Sequence, residues 1–129
     1  MQLADLYPDA KLNWPIATHE RGLVYQWTVF AMTELEPAIT EARRHREDDP
    51  ARAQAGVERF QAAAAAVEQA LDGHECLVGE RFSVADLVCG AVLISAKTAG
   101  LTDELPNINA YLERLEARPS RQRATAVDT

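Results

Sequence analysis

One stretch constrains the fold more than any other. Gly79-Glu80-Arg81-Phe82-Ser83-Val84-Ala85-Asp86-Leu87 leads into a run of mostly apolar residues that ends at Gly100. Ser83 and Asp86 stand at capping-box spacing, with Asp in place of the usual Glu or Gln. At that spacing the Ser83 hydroxyl can accept from the Asp86 N–H, and the Asp86 carboxylate can reach back to the Ser83 N–H. Phe82 and Leu87 occupy the hydrophobic-staple positions, and a carboxylate in the first turn suits the helix dipole. From Val84 to Ala96 the residues are apolar nearly all round, including Val84, Ala85, Leu87, Val88, Cys89, Ala91, Val92, Leu93, Ile94 and Ala96. A helix without a wet face belongs in the middle of a fold. A bilayer span needs about 20 apolar residues, and this run is shorter and contains Asp86. The stretch therefore predicts the buried central helix of an all-α domain.

The rest of the chain supplies helices to surround it. Thr18 is a plausible cap for a long helix reaching Arg46, with Leu23, Trp27, Phe30 and Ala31 on one stripe and Val24, Thr28, Met32 and Leu35 on a second. Two apolar faces imply that one packs in a bundle while the other meets something else. Pro37 should interrupt this helix, since it lacks a backbone donor and crowds the preceding turn. Asp49-Pro50 reads as cap and first residue of the next helix, whose stripe is Val57, Phe60, Ala64, Val67 and Leu71, with Gly73 after its end. Gly100 is placed to stop the central helix. Pro106 opens a helix with Ile108, Tyr111, Leu112 and Leu115 inside, and Arg118-Pro119 ends it. Ser120 to Val127 reads as one last turn or two. The expectation is a bundle of about five helices, with Asp86 structural rather than catalytic.

Several functions are disfavoured by composition. A net charge of −7 argues against nonspecific binding to nucleic acid or an anionic membrane. The start, Met1-Gln2-Leu3-Ala4-Asp5, has neither the basic nor the apolar part of a secretion signal. Cys76 and Cys89 form no C-x-x-C pair and read as free thiols of a cytoplasmic protein. His19, His45 and His74 lack ligand spacing, so no metal site is expected. No phosphate loop, nucleophile elbow or carboxylate pair is present, and no catalytic residue is assigned.

Three segments in order resemble a known family. Leu77-x-Gly79-x-x-Phe82-Ser83-x-Ala85-Asp86 looks like the capping-box signature of the glutathione transferase C-terminal domain. Arg21 to Ile39, with Trp27 and Thr33-Glu34-Leu35-Glu36-Pro37, resembles the first helix of that domain. Pro106-Asn107-Ile108 through Arg118-Pro119 resembles a later one. The likeness implies that residues 17–129 form such a domain and that residues 1–16, with Leu3-Ala4-Asp5-Leu6-Tyr7-Pro8, are a linker and the remnant of a preceding domain. The bland alternative is a loosely held arm. In the family, a thioredoxin-like domain binds the co-substrate glutathione and activates its thiol. The resemblance thus implies a chain that is not catalytic alone and binds no cofactor by itself. It also implies that Tyr25, Trp27, Phe30 and Glu34 form a wall for a small hydrophobic ligand, although Trp27 and Phe30 read first as core, which leaves Tyr25 and Glu34 as the better candidates. The expected partner is a second copy of the chain, through the Leu23–Leu35 region, or a thioredoxin-like domain. A stand-alone interaction or assembly module of the same fold is the alternative.

Overall fold

In the computed structural model, which describes residues 1–127, the chain begins with a docked arm. Helix α1 (Gln2–Leu6) and a 3-10 turn (Pro8–Ala10) lead through an extended stretch to Thr18. This arm is not loosely held. Ala4 is buried, and Met1, Leu12 and Trp14 pack against the core. The Leu12 carbonyl accepts from the Val84 N–H at 2.9 Å, and the Asn13 carbonyl accepts from Arg81 Nη2 at 2.7 Å. Asp5 takes both terminal nitrogens of Arg21, at 2.7 and 2.9 Å.

Thr18 caps helix α2 (His19–Phe30) by accepting from the Arg21 N–H at 3.3 Å. The rod then passes through a π-helical turn (Ala31–Leu35) into helix α3 (Glu36–Arg44). The expected interruption at Pro37 takes this form. Pro37 cannot donate to the Thr33 carbonyl and its ring crowds it, so the turn before the proline widens. Of the two expected stripes, neither is wholly inside. Val24, Ala31, Leu35, Ala38 and Ile39 are buried, whereas Leu23, Trp27 and Phe30 are half-buried and Met32 is exposed.

Asp49 caps helix α4 (Pro50–Ala70), accepting from the Arg52 N–H at 3.1 Å. Its buried side is Ala53, Gly56, Phe60, Ala64 and Val67. Gly56 allows α3 and α4 to touch backbone to backbone: a Cβ there would lie 2.5 Å from the Ala42 nitrogen and 3.0 Å from the Ala38 oxygen. Helix α5 (Val84–Thr98) packs against α2, the π-helical turn and helix α6 (Pro106–Glu116), and Gly100 follows α5 with φ +73°. Leu105 precedes α6 without a capping side chain, and Glu68 of α4 does that job. Its two carboxylate oxygens accept from the Asn107 and Ile108 N–H groups at 2.8 and 2.9 Å. Of the expected α6 stripe, Ile108, Tyr111 and Leu112 are fully buried and Leu115 is half-buried. Helix α7 (Pro119–Val127) buries none of its residues and is longer than the expected turn or two. Among the described residues beyond the arm, the fold is an all-α bundle of five rods, counting α2 to α3 as one. Residues 128–129 of the expected domain lie outside the described residues.

The central helix is not buried on every side, as its composition had led us to expect. Leu87 is 58% exposed, Ala91 is exposed and Ile94 is half-buried. These positions, at i, i+4 and i+7, form one apolar row that no element among the described residues covers. Composition alone cannot show that the surrounding helices leave one side open.

Candidate functional site

Helix α2 and the π-helical turn that continues it carry the residues that the resemblance singled out, Tyr25, Trp27 and Phe30 on the helix and Glu34 on the turn. Tyr25, Val29 and Met32 repeat at i, i+4 and i+7 on its outer side and are 49%, 57% and 51% exposed. An open cleft of about 490 Å3 runs along this side, lined by Gly22, Tyr25, Gln26, Val29, Phe30, Thr33 and Glu34. Three of the expected wall residues, Tyr25, Phe30 and Glu34, thus come together. Trp27 does not line this cleft. Its ring packs edge-on to Phe30, with centroids 5.7 Å apart, and against the core. Gln26, Val29 and Thr33 line the cleft without having been singled out from the sequence. The i, i+4 spacing of Tyr25, Val29 and Thr33 was the available signal. A smaller cleft of about 350 Å3 continues from Phe30 and Glu34 across to Arg59, Ala62, Ala63 and Ala66 of α4.

The Tyr25 hydroxyl has a fixed partner. Arg21 Nη2 donates to it at 2.9 Å, and the guanidinium carbon lies 5.0 Å from the ring centroid. The phenol oxygen accepts that bond, which leaves its own proton free to donate to a ligand. Arg21 is 5% exposed, carries the Asp5 pair and also donates to the Trp14 carbonyl at 3.0 Å. This network has no signature in the sequence: Asp5 lies 16 residues from Arg21, and the nearer Arg21–Tyr25 pair, at i, i+4, is ordinary by type.

The second open surface is the apolar row on α5. Leu87, Gly90, Ala91 and Ile94 form the floor of a cleft of about 200 Å3, between Phe82, Leu115 and the start of α7. Arg118 lies over the Phe82 ring, 3.8 Å from its centroid, and Arg121 stands at the edge of the same cleft.

Under α5, Ser83 and Asp86 make the reciprocal bonds of a capping box. Asp86 Oδ2 accepts from the Ser83 N–H at 2.8 Å and the Ser83 hydroxyl at 3.1 Å, and Ser83 Oγ accepts from the Ala85 N–H at 3.2 Å. The other carboxylate oxygen accepts from the Leu77 N–H at 2.9 Å and the Tyr111 hydroxyl at 3.0 Å. Burial and the nearby Asp86 charge raise the Tyr111 phenol well above its ordinary value. With four donors around it and no exposure, this carboxylate is occupied as a structural acceptor.

Neither thiol is set up as a nucleophile. Burial pushes Cys76 up to about 11 and Cys89 up to about 12, and the Asp86 charge adds to both. Cys89 Sγ also points at the Trp27 carbonyl, 3.4 Å away. Among the described residues no group of three His, Cys, Asp or Glu side chains could hold a metal ion, and no helix is long and apolar enough to cross a membrane.

Comparison with known proteins places this geometry. Residues 31–114 match the family described as glutathione S-transferase, C-terminal domain. A crystal structure of a glutathione transferase from Methylococcus capsulatus superposes with a TM-score of 0.89 at 32% identity, over 98% of this chain and 63% of that one. A glutathione S-transferase from Xanthobacter autotrophicus gives 0.79 at 30% identity, over 92% and 59%. A beta-class enzyme from Sphingomonas chungbukensis gives 0.86 at 27%, over 98% and 63%. The chain therefore spans less than two thirds of the length of these solved relatives. No curated protein sequence matches it. The matched segment runs from the π-helical turn to the end of α6 and contains the capping box on which the bundle is built, so the chain belongs to the glutathione S-transferase C-terminal domain family.

Proposed function

We propose that this chain acts as the helical part of a glutathione transferase, in which the outer side of α2 serves as a wall for an apolar substrate and as a subunit contact. The observation that carries this reading is the row Tyr25, Val29 and Met32. Half-exposed apolar side chains in line along a helix whose opposite side is buried mark a surface that something covers. Tyr25 contributes a hydrogen-bond donor to such a wall, Phe30 an apolar surface and Glu34 a polar end. Glutathione enters as co-substrate on a thioredoxin-like domain, as in the family. Leu3, Leu6 and Tyr7, at 70%, 66% and 64% exposure, offer that domain a resting surface on the arm.

The test is a conjugation assay with a chromogenic electrophile, on residues 1–129 alone and joined to the glutathione-binding part of the Methylococcus relative. The expected result is no rate above background alone and a saturable rate when joined. A saturable rate for the chain alone, lost in Tyr25→Phe, would overturn the proposal by moving catalysis onto α2. Light scattering tests the subunit contact. The wild type should form a dimer that Val29→Glu dissociates, and a clean monomer at high micromolar concentration would refute it. A chain that dimerises yet gains no conjugation when joined would fit the assembly-module reading instead.

A further inference from the structure

We propose that the cleft beneath the N-terminal arm binds a small oxyanion on a flat apolar body, an aryl carboxylate being the simplest. This site is distinct from the α2 surface and does not depend on the function proposed above. The cleft measures about 450 Å3, and Trp14, Pro15 and Ile16 give it an apolar side. Three cations line it, Lys11, Arg21 and Arg81, against one carboxylate, Asp5. In a chain of net charge −7, this is a local reversal of sign. Arg21 is neutralised by Asp5, whereas Lys11 and Arg81 have no carboxylate partner among the described residues.

Arg81 is nonetheless held in place. It stacks 4.2 Å over the Trp14 ring and donates to the Asn13 carbonyl at 2.7 Å. A preorganised guanidinium beside an aromatic face, with a free lysine at the rim, suits a carboxylate attached to a flat ring. The backbone on either side of the apolar edge is also unusual. Lys11 and Ala17 both have positive φ, 53° and 71°, without being glycine. Such conformations persist where the surrounding structure imposes them, and they gather at ligand sites. The anion would meet Lys11 and Arg81 without a competing counter-ion, while the ring would lie against Trp14 and Ile16.

Calorimetric titration of the full chain with naphthalene-2-carboxylate tests the proposal, with naphthalene-2-carboxamide as the uncharged match. The carboxylate should bind saturably at one site, and the carboxamide about tenfold more weakly or worse. Lys11 and Ile16 are exposed, so their substitution leaves the packing intact. Lys11→Gln should weaken carboxylate binding by about threefold or more, and Ile16→Glu should abolish it. Val29→Glu, on α2, should leave it unchanged. Equal affinity for carboxylate and carboxamide, indifference to both arm substitutions, loss of binding in Val29→Glu, or no binding at millimolar carboxylate would each overturn the assignment.

Discussion

Removing the Asp86 carboxylate should cost far more than an ordinary cap. An exposed helix cap contributes typically about 1 kcal/mol. Here the carboxylate is fully buried and answers two backbone N–H groups, of Leu77 and Ser83, and two hydroxyls, of Ser83 and Tyr111. Asp86→Ala leaves all four donors without it, at about 1–3 kcal/mol for each that finds no substitute. The Ser83 hydroxyl can rotate to another acceptor, and water can enter the space left by the side chain. Relief from burying a charge offsets part of the rest. The expected net loss is about 3–5 kcal/mol, in the range of a broken buried network. Urea unfolding followed by circular dichroism measures it, with the slope against denaturant unchanged. Two milder variants keep the question open to measurement if Asp86→Ala does not fold. Asp86→Asn keeps one acceptor oxygen but sets an amide N–H₂ against donors, and should cost about 2 kcal/mol. Tyr111→Phe removes one donor of the four and should cost about 1–1.5 kcal/mol. A loss below about 1 kcal/mol for Asp86→Ala would mean that the network adds nothing to a surface cap, and the reasoning would fail. It would also fail if Tyr111→Phe were as damaging as Asp86→Ala.

Other consequences are quicker to check. Gly56→Ala should destabilise by about 2 kcal/mol or more, although alanine is the better helix former, because its Cβ would press on the α3 backbone; equal or greater stability in urea would contradict the close approach. Cys76 and Cys89 should react with an aromatic disulfide reagent at pH 8 far more slowly in the native protein than in denaturant, since burial holds them protonated at about 11 and about 12; a rapid native reaction would refute this. The Asp5 carboxyl is held below its ordinary 3.8, chiefly by the hydrogen bond from Arg21. Its contribution to arm docking is therefore fully present above the ordinary value and is lost as pH falls through the lowered one. Trp14 fluorescence should report arm release in that acidic window, and in Asp5→Asn already at neutral pH; an Asp5→Asn spectrum like that of wild type would contradict the link.

Much of the fold was legible because its signals are local. Thr18, Asp49 and Ser83 each cap the helix that follows, and three of the four α6 stripe residues, Ile108, Tyr111 and Leu112, are buried where their spacing puts them. What stayed hidden depends on residues far apart in the chain. Glu68 caps α6 from 39 residues away, and Tyr111 reaches Asp86 across 25. Neither pairing has a spacing to be read. The candidate site was legible in part, since Tyr25, Phe30 and Glu34 share a cleft. Trp27 stands apart from it because an indole that size finds more apolar contact inward, against Phe30 and the core. The exposed row on α5 was missed for a different reason. Hydrophobicity shows that a side chain would gain from cover, whereas only the packed structure shows whether the chain itself supplies that cover.

Arg21 connects these parts in a way that no single element reveals. Its guanidinium binds Asp5 of the arm at both ends, takes the Trp14 carbonyl and holds the Tyr25 hydroxyl. The arm in turn is bonded through Leu12 to Val84, the first residue of α5, and through Asn13 to Arg81 in the loop before it. One buried cation therefore ties the orientation of the exposed Tyr25 to the docking of the arm and, through the arm, to the start of the central helix. A domain resting on Leu3, Leu6 and Tyr7 would load the arm directly, and the load would reach Tyr25 through a single side chain. Rigid placement of that hydroxyl is what a binding wall requires, because a donor that wanders over several rotamers loses part of its binding energy to ordering. The network explains why a nearly fully buried arginine is stable here. Its charge is answered by Asp5, and both terminal nitrogens meet oxygen atoms of the segments it joins, while Nε is left buried without a partner.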